Sequence, residues 1–123
     1  MEGTLSGGVR WAEGSYGDIE TKASSAELTH KIPISTNFTP ARIIVQFDYI
    51  KAAGYTGTTN FSIDSKYVNS SNLYTQVRVG TSSNIISLYI TDISSNSFSL
   101  RTKVIYGTSY QWELKNIRWV AYE

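Results

Sequence analysis

An antiparallel β-sandwich of about seven to eight strands is the fold class that the sequence predicts, on three observations. Period-2 alternation of Ile, Val, Tyr, Phe and Thr recurs along the chain, and helical periodicity does not. The alternating segments are separated by short clusters of Ser, Asn, Gly and Thr, the residues that turns favour. At 123 residues the chain is long enough for one hydrophobic core and too short for two, and two stacked sheets let short strands bury each other's apolar faces.

In order along the chain, residues 1–8 (MEGTLSGG) read as a flexible lead-in, and 9–123 as a single domain, one module of a longer protein. Leu28, His30, Ile32 and Ile34 alternate with Thr29, Lys31 and Pro33, and the proline predicts an edge strand because it cannot donate to a ladder. ARIIVQFDYIK (41–51) is the clearest strand, with Ile43, Val45, Phe47 and Tyr49 on one face and Ile44, Gln46, Asp48 and Ile50 on the other. The Gly- and Thr-rich stretch 52–60 reads as an exposed loop. Strands are predicted over 61–68, 73–79 and 85–93, the last with a slip in alternation at Ile93 that a bulge or turn at Asp92 explains. A turn at 94–97 leads into an alternating strand from Phe98 to Ile105, and YGTSYQ (106–111) turns the chain into the closing strand.

Composition narrows the chemistry. Eleven Lys and Arg against ten Asp and Glu give a net charge of +1, without the basic footprint of a nucleic-acid binder. There is no cysteine, which removes disulfides, thiolate nucleophiles and sulfur-ligated metals together. No apolar run reaches the roughly 18 residues that a helical membrane span needs, so no membrane insertion is expected. The single histidine, His30, sits on an alternating apolar face and reads as a packed residue, not as the base of a catalytic triad. With no Gly-rich phosphate loop and no Asp-rich calcium loop, neither enzymatic activity nor a cofactor is expected.

Binding is the class that the residues favour. Nine tyrosines and three tryptophans supply rings with an apolar face and a polar edge, which suit both sugars and protein interfaces. The candidates for ligand contact are aromatics that fall in predicted turns, where no strand face claims them: Tyr55, Tyr67, Tyr74, Tyr110 and Trp112. Alternation in the closing strand sends Ile117, Trp119 and Ala121 inward and Val120 and Tyr122 outward, while Ile44 and Ile50 point outward from theirs. Those four outward residues are the predicted subunit interface of an oligomer, because a monomer would leave them wet.

Three stretches carry a family resemblance. FTPARIIVQF (38–47), ITDISSNSFSLRT (90–102) and IRWVAYE (117–123) are similar in order and spacing to the H-type lectin-like β-sandwich, and RWAEGSYGD (10–18) resembles the opening strand and turn of such modules in bacteriophage tail fibres. The resemblance spans most of residues 9–123 and rests on core and turn positions, so it carries over no sugar-contacting residue. It implies a homotrimer in a virion tail or, as a free lectin, a secreted protein. It further implies a receptor-binding module that recognises a bacterial surface glycan. A structural trimerisation or capping module without a ligand is the alternative.

Overall fold

The computed structural model of the protein describes residues 1–5, 7–22, 26–52, 55–72, 75–79, 84–106 and 111–123. Its described residues form strands and no helix, in two antiparallel sheets that stack as a β-sandwich. The strands are β1 (Glu2–Thr4), β2 (Arg10–Lys22), β3 (Leu28–Pro33), β4 (Arg42–Ala52), β5 (Tyr55–Asp64), β6 (Gln76–Val79), β7 (Asn84–Thr91), β8 (Ser97–Tyr106) and β9 (Gln111–Tyr122). One sheet has the order β1-β2-β9-β4-β5 and the other β3-β8-β7-β6. The proline-bearing β3 is an edge strand, as its missing N–H requires.

Two stretches differ from their sequence reading. Glu2–Thr4 pair with Ala12, Trp11 and Arg10, so the expected lead-in contributes a strand. The expected loop 52–60 holds the first half of β5, and its Thr-rich sequence suits a strand as well as it suits a turn.

The core lies between the sheets. Val45, Phe47, Ile117 and Trp112 come from the larger sheet, and Ile32, Leu88, Phe98 and Leu100 from the smaller. Buried Ile34 and Phe38 occupy the segment that carries the chain from one sheet to the other. Thr36 anchors that segment, donating from its hydroxyl to the carbonyls of Phe38 and Ser95.

The larger sheet breaks step along one transverse line. The inward residues of β9 jump from Leu114 to Ile117, and those of β4 from Phe47 to Ile50, while the pairs Gln46–Arg118 and Tyr49–Lys115 keep one register on either side. The β2 register shifts on both sides of Gly17, whose φ is 103°, and β5 shifts against β4 between Thr56 and Thr59, next to Asn60 at φ 51°. Asn116, at φ 54°, ties the line together. Its backbone N–H donates to Asp18 and its side-chain amide donates to Asp48, each at 2.8 Å. Left-handed residues cost least as Gly or Asn, which is why these positions hold them.

This crease corrects one expectation. Strict alternation from Ile43 to Phe47 sends Ile50 outward, but the slip turns it into the core, where it is fully buried. The expected break at Asp92 is present as a turn: Asp92 has φ 54° and follows the end of β7. Ser94 closes the next turn by accepting from the N–H groups of Asn96 and Ser97.

Candidate functional site

On the outer face of the smaller sheet, Tyr89 of β7 and Arg101 of β8 are direct cross-strand partners, with Thr91 and Ser99 the next pair toward the turn. Alternation puts them there: Ile86, Leu88 and Ile90 fill the core, so Tyr89 and Thr91 must face away. Arg101 is held by three acceptors at 3.0 Å each, donating from Nε to Thr91 Oγ1 and from its two terminal nitrogens to Glu27 and Asp92. The Thr91 hydroxyl in turn donates to Asp92.

The electrostatics match this geometry. Burial, followed by its hydrogen bond to Glu27, pushes the Tyr89 phenol up to about 12, so it remains a neutral donor. Tyr89 holds Glu27 below the usual carboxylate range, with Arg101 adding to the effect, and Arg101 does the same for Asp92. Both carboxylates therefore stay ionised at neutral pH. Neither is a protonated acid of the kind that glycoside cleavage needs.

A concavity of about 530 Å³ opens beside this network, lined by Asn69, Ser70, Tyr89, Thr91, Asp92 and Arg101. Its far wall is fixed by the segment after β5. Asn69 donates from its side chain to the Ser65 carbonyl, accepts from Ser71 N–H, and exchanges backbone bonds with Asn72. The backbone N–H of Ile90 reaches Val68 O at 3.3 Å, docking the segment against β7. The site thus offers donors and acceptors fixed before any ligand arrives, which suits hydroxyl-rich ligands.

The predicted ligand aromatics fare unequally. Trp112 is fully buried, so the expectation of ligand contact is corrected: it is the second residue of β9, and strand alternation turns its side chain into the core. Tyr67 is exposed at 59%, with the Lys66 ammonium 5.5 Å from its ring centre, but it does not line the concavity. The side chain of Tyr55 and all of Tyr74 and Tyr110 lie outside the described residues.

Of the four interface candidates, three share the outer face of the larger sheet. Ile44 pairs with Val120, and Tyr122 is flanked by Trp11 and Arg42, the last with its guanidinium carbon 6.0 Å from the Tyr122 ring centre. Ile50, buried by the crease, is absent from that face. His30 is half-buried with Nε2 3.0 Å from Thr102 Oγ1, and burial lowers its pKa.

Tyr89, Arg101, Asp92 and Glu27 were not among the predicted site residues. Turn-placed aromatics do not mark this site; its signal lies in a strand, a Tyr and an Arg out of phase with their apolar neighbours. No family model, curated protein or solved structure matches the chain.

Proposed function

We propose that the domain is a non-catalytic carbohydrate-recognition module that binds a bacterial surface glycan in the Tyr89–Arg101 concavity. The observation that carries this reading is the prebuilt network of Glu27, Tyr89, Thr91, Asp92 and Arg101 beside an open space that Ile90 and Ile93 also line. The H-type lectin-like motifs support its placement at the tip of a phage or prophage tail fibre. They also support assembly as a homotrimer, with Ile44, Val120 and Tyr122 between copies. Weak single sites repeated around such an assembly gain avidity.

A glycan array, followed by host-cell adsorption, tests the reading. Binding that Asp92→Asn and Arg101→Lys each weaken at least about tenfold supports it, a loss of the size expected for charge-assisted hydrogen bonds. Asn suits the left-handed backbone at 92, so the fold is kept. A blank array from folded oligomer would favour the second reading, a trimerisation or capping module, which the apolar Ile44–Val120 pair on an outer face also supports.

A further inference from the structure

We infer that the free edge of β2 is a strand-docking site that reads the sequence of β1, and that copies of the chain exchange β1 across it. β1 is held as a docked peptide is held, by a backbone ladder and by one contact on each face. Glu2, Gly3 and Thr4 pair with Ala12, Trp11 and Arg10, and the Glu13 N–H continues the ladder by donating to the Met1 carbonyl at 2.8 Å.

The two faces of this edge ask for different residues. On the outer face the Trp11 indole lies across Gly3: a Cβ at that position would come within 2.6 Å of three ring atoms, so the ring admits glycine there. On the opposite face Glu2 shares the side of its partner Ala12, toward the segment that joins the two sheets. There its carboxylate accepts from the Asn37 backbone N–H at 3.0 Å and from the Asn37 side-chain amide at 2.9 Å. Consecutive residues of a strand face opposite ways, so Glu followed by Gly is the pair that this edge recognises.

β1 is also built to detach. It contributes no side chain to the core, and Glu2 and Thr4 are exposed. The turn after it is closed by backbone bonds from Leu5 N–H to Val9 and from Gly8 N–H to Leu5. Gly7 and Gly8 in that turn have φ values of 91° and 87°, and nothing lies within 4 Å of a Cβ built at either. An element with exposed hydrogen bonds and no buried apolar side chain opens at low cost. Another copy then offers the same Glu-Gly pair to the same edge through the same contacts, which is the condition for strand exchange. The occupant is therefore β1 of a second copy. None of these residues belongs to the Tyr89–Arg101 concavity, so a blank glycan array leaves the exchange standing.

The chain has no cysteine, so introduced thiols report the exchange directly. Thr4 and Arg10 are direct partners, and Cα atoms so paired lie about 4.5–5.5 Å apart, within disulfide reach. Full-length Thr4→Cys and Arg10→Cys chains are mixed at high concentration and oxidised. An interchain disulfide is expected, and Gly3→Ala added to the Thr4→Cys chain should cut it about tenfold through overpacking against Trp11. Glu2→Gln should also reduce it, at unchanged Tm. A peptide of residues 1–8 should suppress the product, and the same peptide carrying Gly3→Ala should not. Closure of an intrachain disulfide in the doubly substituted chain, with no interchain product from the mixture, overturns exchange between copies. An interchain product that Gly3→Ala leaves unchanged, or equal suppression by the two peptides, overturns the reading of Gly3. Failure of the doubly substituted chain to close its own disulfide overturns the docking of β1 itself. Binding of the peptide without any interchain product assigns the edge to a strand of a different protein and overturns the occupant.

Discussion

Trp119 lies directly opposite Gly14 in the β2–β9 register, and its indole fills the space that a side chain at position 14 would need. A Cβ there would come within 2.6 Å of the ring. The large residue of one strand thus covers the bare backbone of the next, and the pair packs as a unit. Gly14→Ala is expected to destabilise the domain by about 1–3 kcal/mol through overpacking. Trp119→Phe, which frees part of that space, should recover some of the loss in the double variant. Urea unfolding of the four proteins checks it, and simple additivity would show that the two positions are not coupled.

Gly17 offers a contrast. Nothing lies within 4 Å of a Cβ built there, yet its φ is 103°, so Gly17→Ala should cost about 1–3 kcal/mol through backbone strain alone. Because the cost sits in the backbone, no substitution of a neighbouring side chain should relieve it. Equal rescue of Gly14→Ala and Gly17→Ala by Trp119→Phe would contradict this distinction.

Trp112 is the largest fully buried side chain, and its indole N–H has no hydrogen-bond partner among the described residues. Trp112→Ala is expected to cost about 3–5 kcal/mol. Trp112→Phe should cost about 1 kcal/mol, since it keeps most of the volume and removes an unpaired donor. Thermal melts separate the two, and any loss of binding in the Ala variant should follow unfolding.

The sequence showed the fold class, the edge position of β3 and the inward set Ile117, Trp119 and Ala121, because alternation and proline act locally. It misplaced Ile50 and Trp112 for a related reason. The crease that turns Ile50 inward is fixed by Asn116 reaching Asp18 and Asp48 on two other strands, a contact between residues far apart in the chain. The Tyr89–Arg101 site was half legible: alternation faces both residues outward, but only the pairing of β7 with β8 sets them side by side. Glu27 joins them from outside either strand, and no local pattern marks it.

Acid should destabilise the domain in two stages. Burial lowers the His30 pKa in the folded state, so the unfolded chain binds its proton first. This contribution is complete above the unfolded histidine value of about 6.5 and is lost as pH falls from there toward the folded value. Asp48, held low by Arg118, and Asp18, held low by Lys115, act in the same direction at lower pH, below the unfolded carboxylate value of about 4. Tm should therefore fall in two steps between neutral pH and strong acid. His30→Asn should remove the upper step and leave the lower one, and an unchanged upper step would implicate a different group.

The C-terminal strand is the structural centre of the larger sheet, and this governs what its loss would do. β9 is hydrogen-bonded to β2 on one side and β4 on the other, and its end is clamped by Glu123, which binds the Arg10 side chain and donates its backbone N–H to the Arg10 carbonyl. Its two faces have different roles. Removing residues 117–123 takes Ile117, Trp119 and Ala121 from the core and opens both ladders, so the truncated chain should be unfolded by circular dichroism. Val120→Lys and Tyr122→Ser, on the outer face, should leave Tm nearly unchanged, as surface substitutions usually do. If that face joins copies of the chain, sedimentation should show the oligomer weakened in both variants. A wild-type protein that is monomeric at micromolar concentration would remove the interface, and a folded, soluble truncation would remove the structural role assigned to β9.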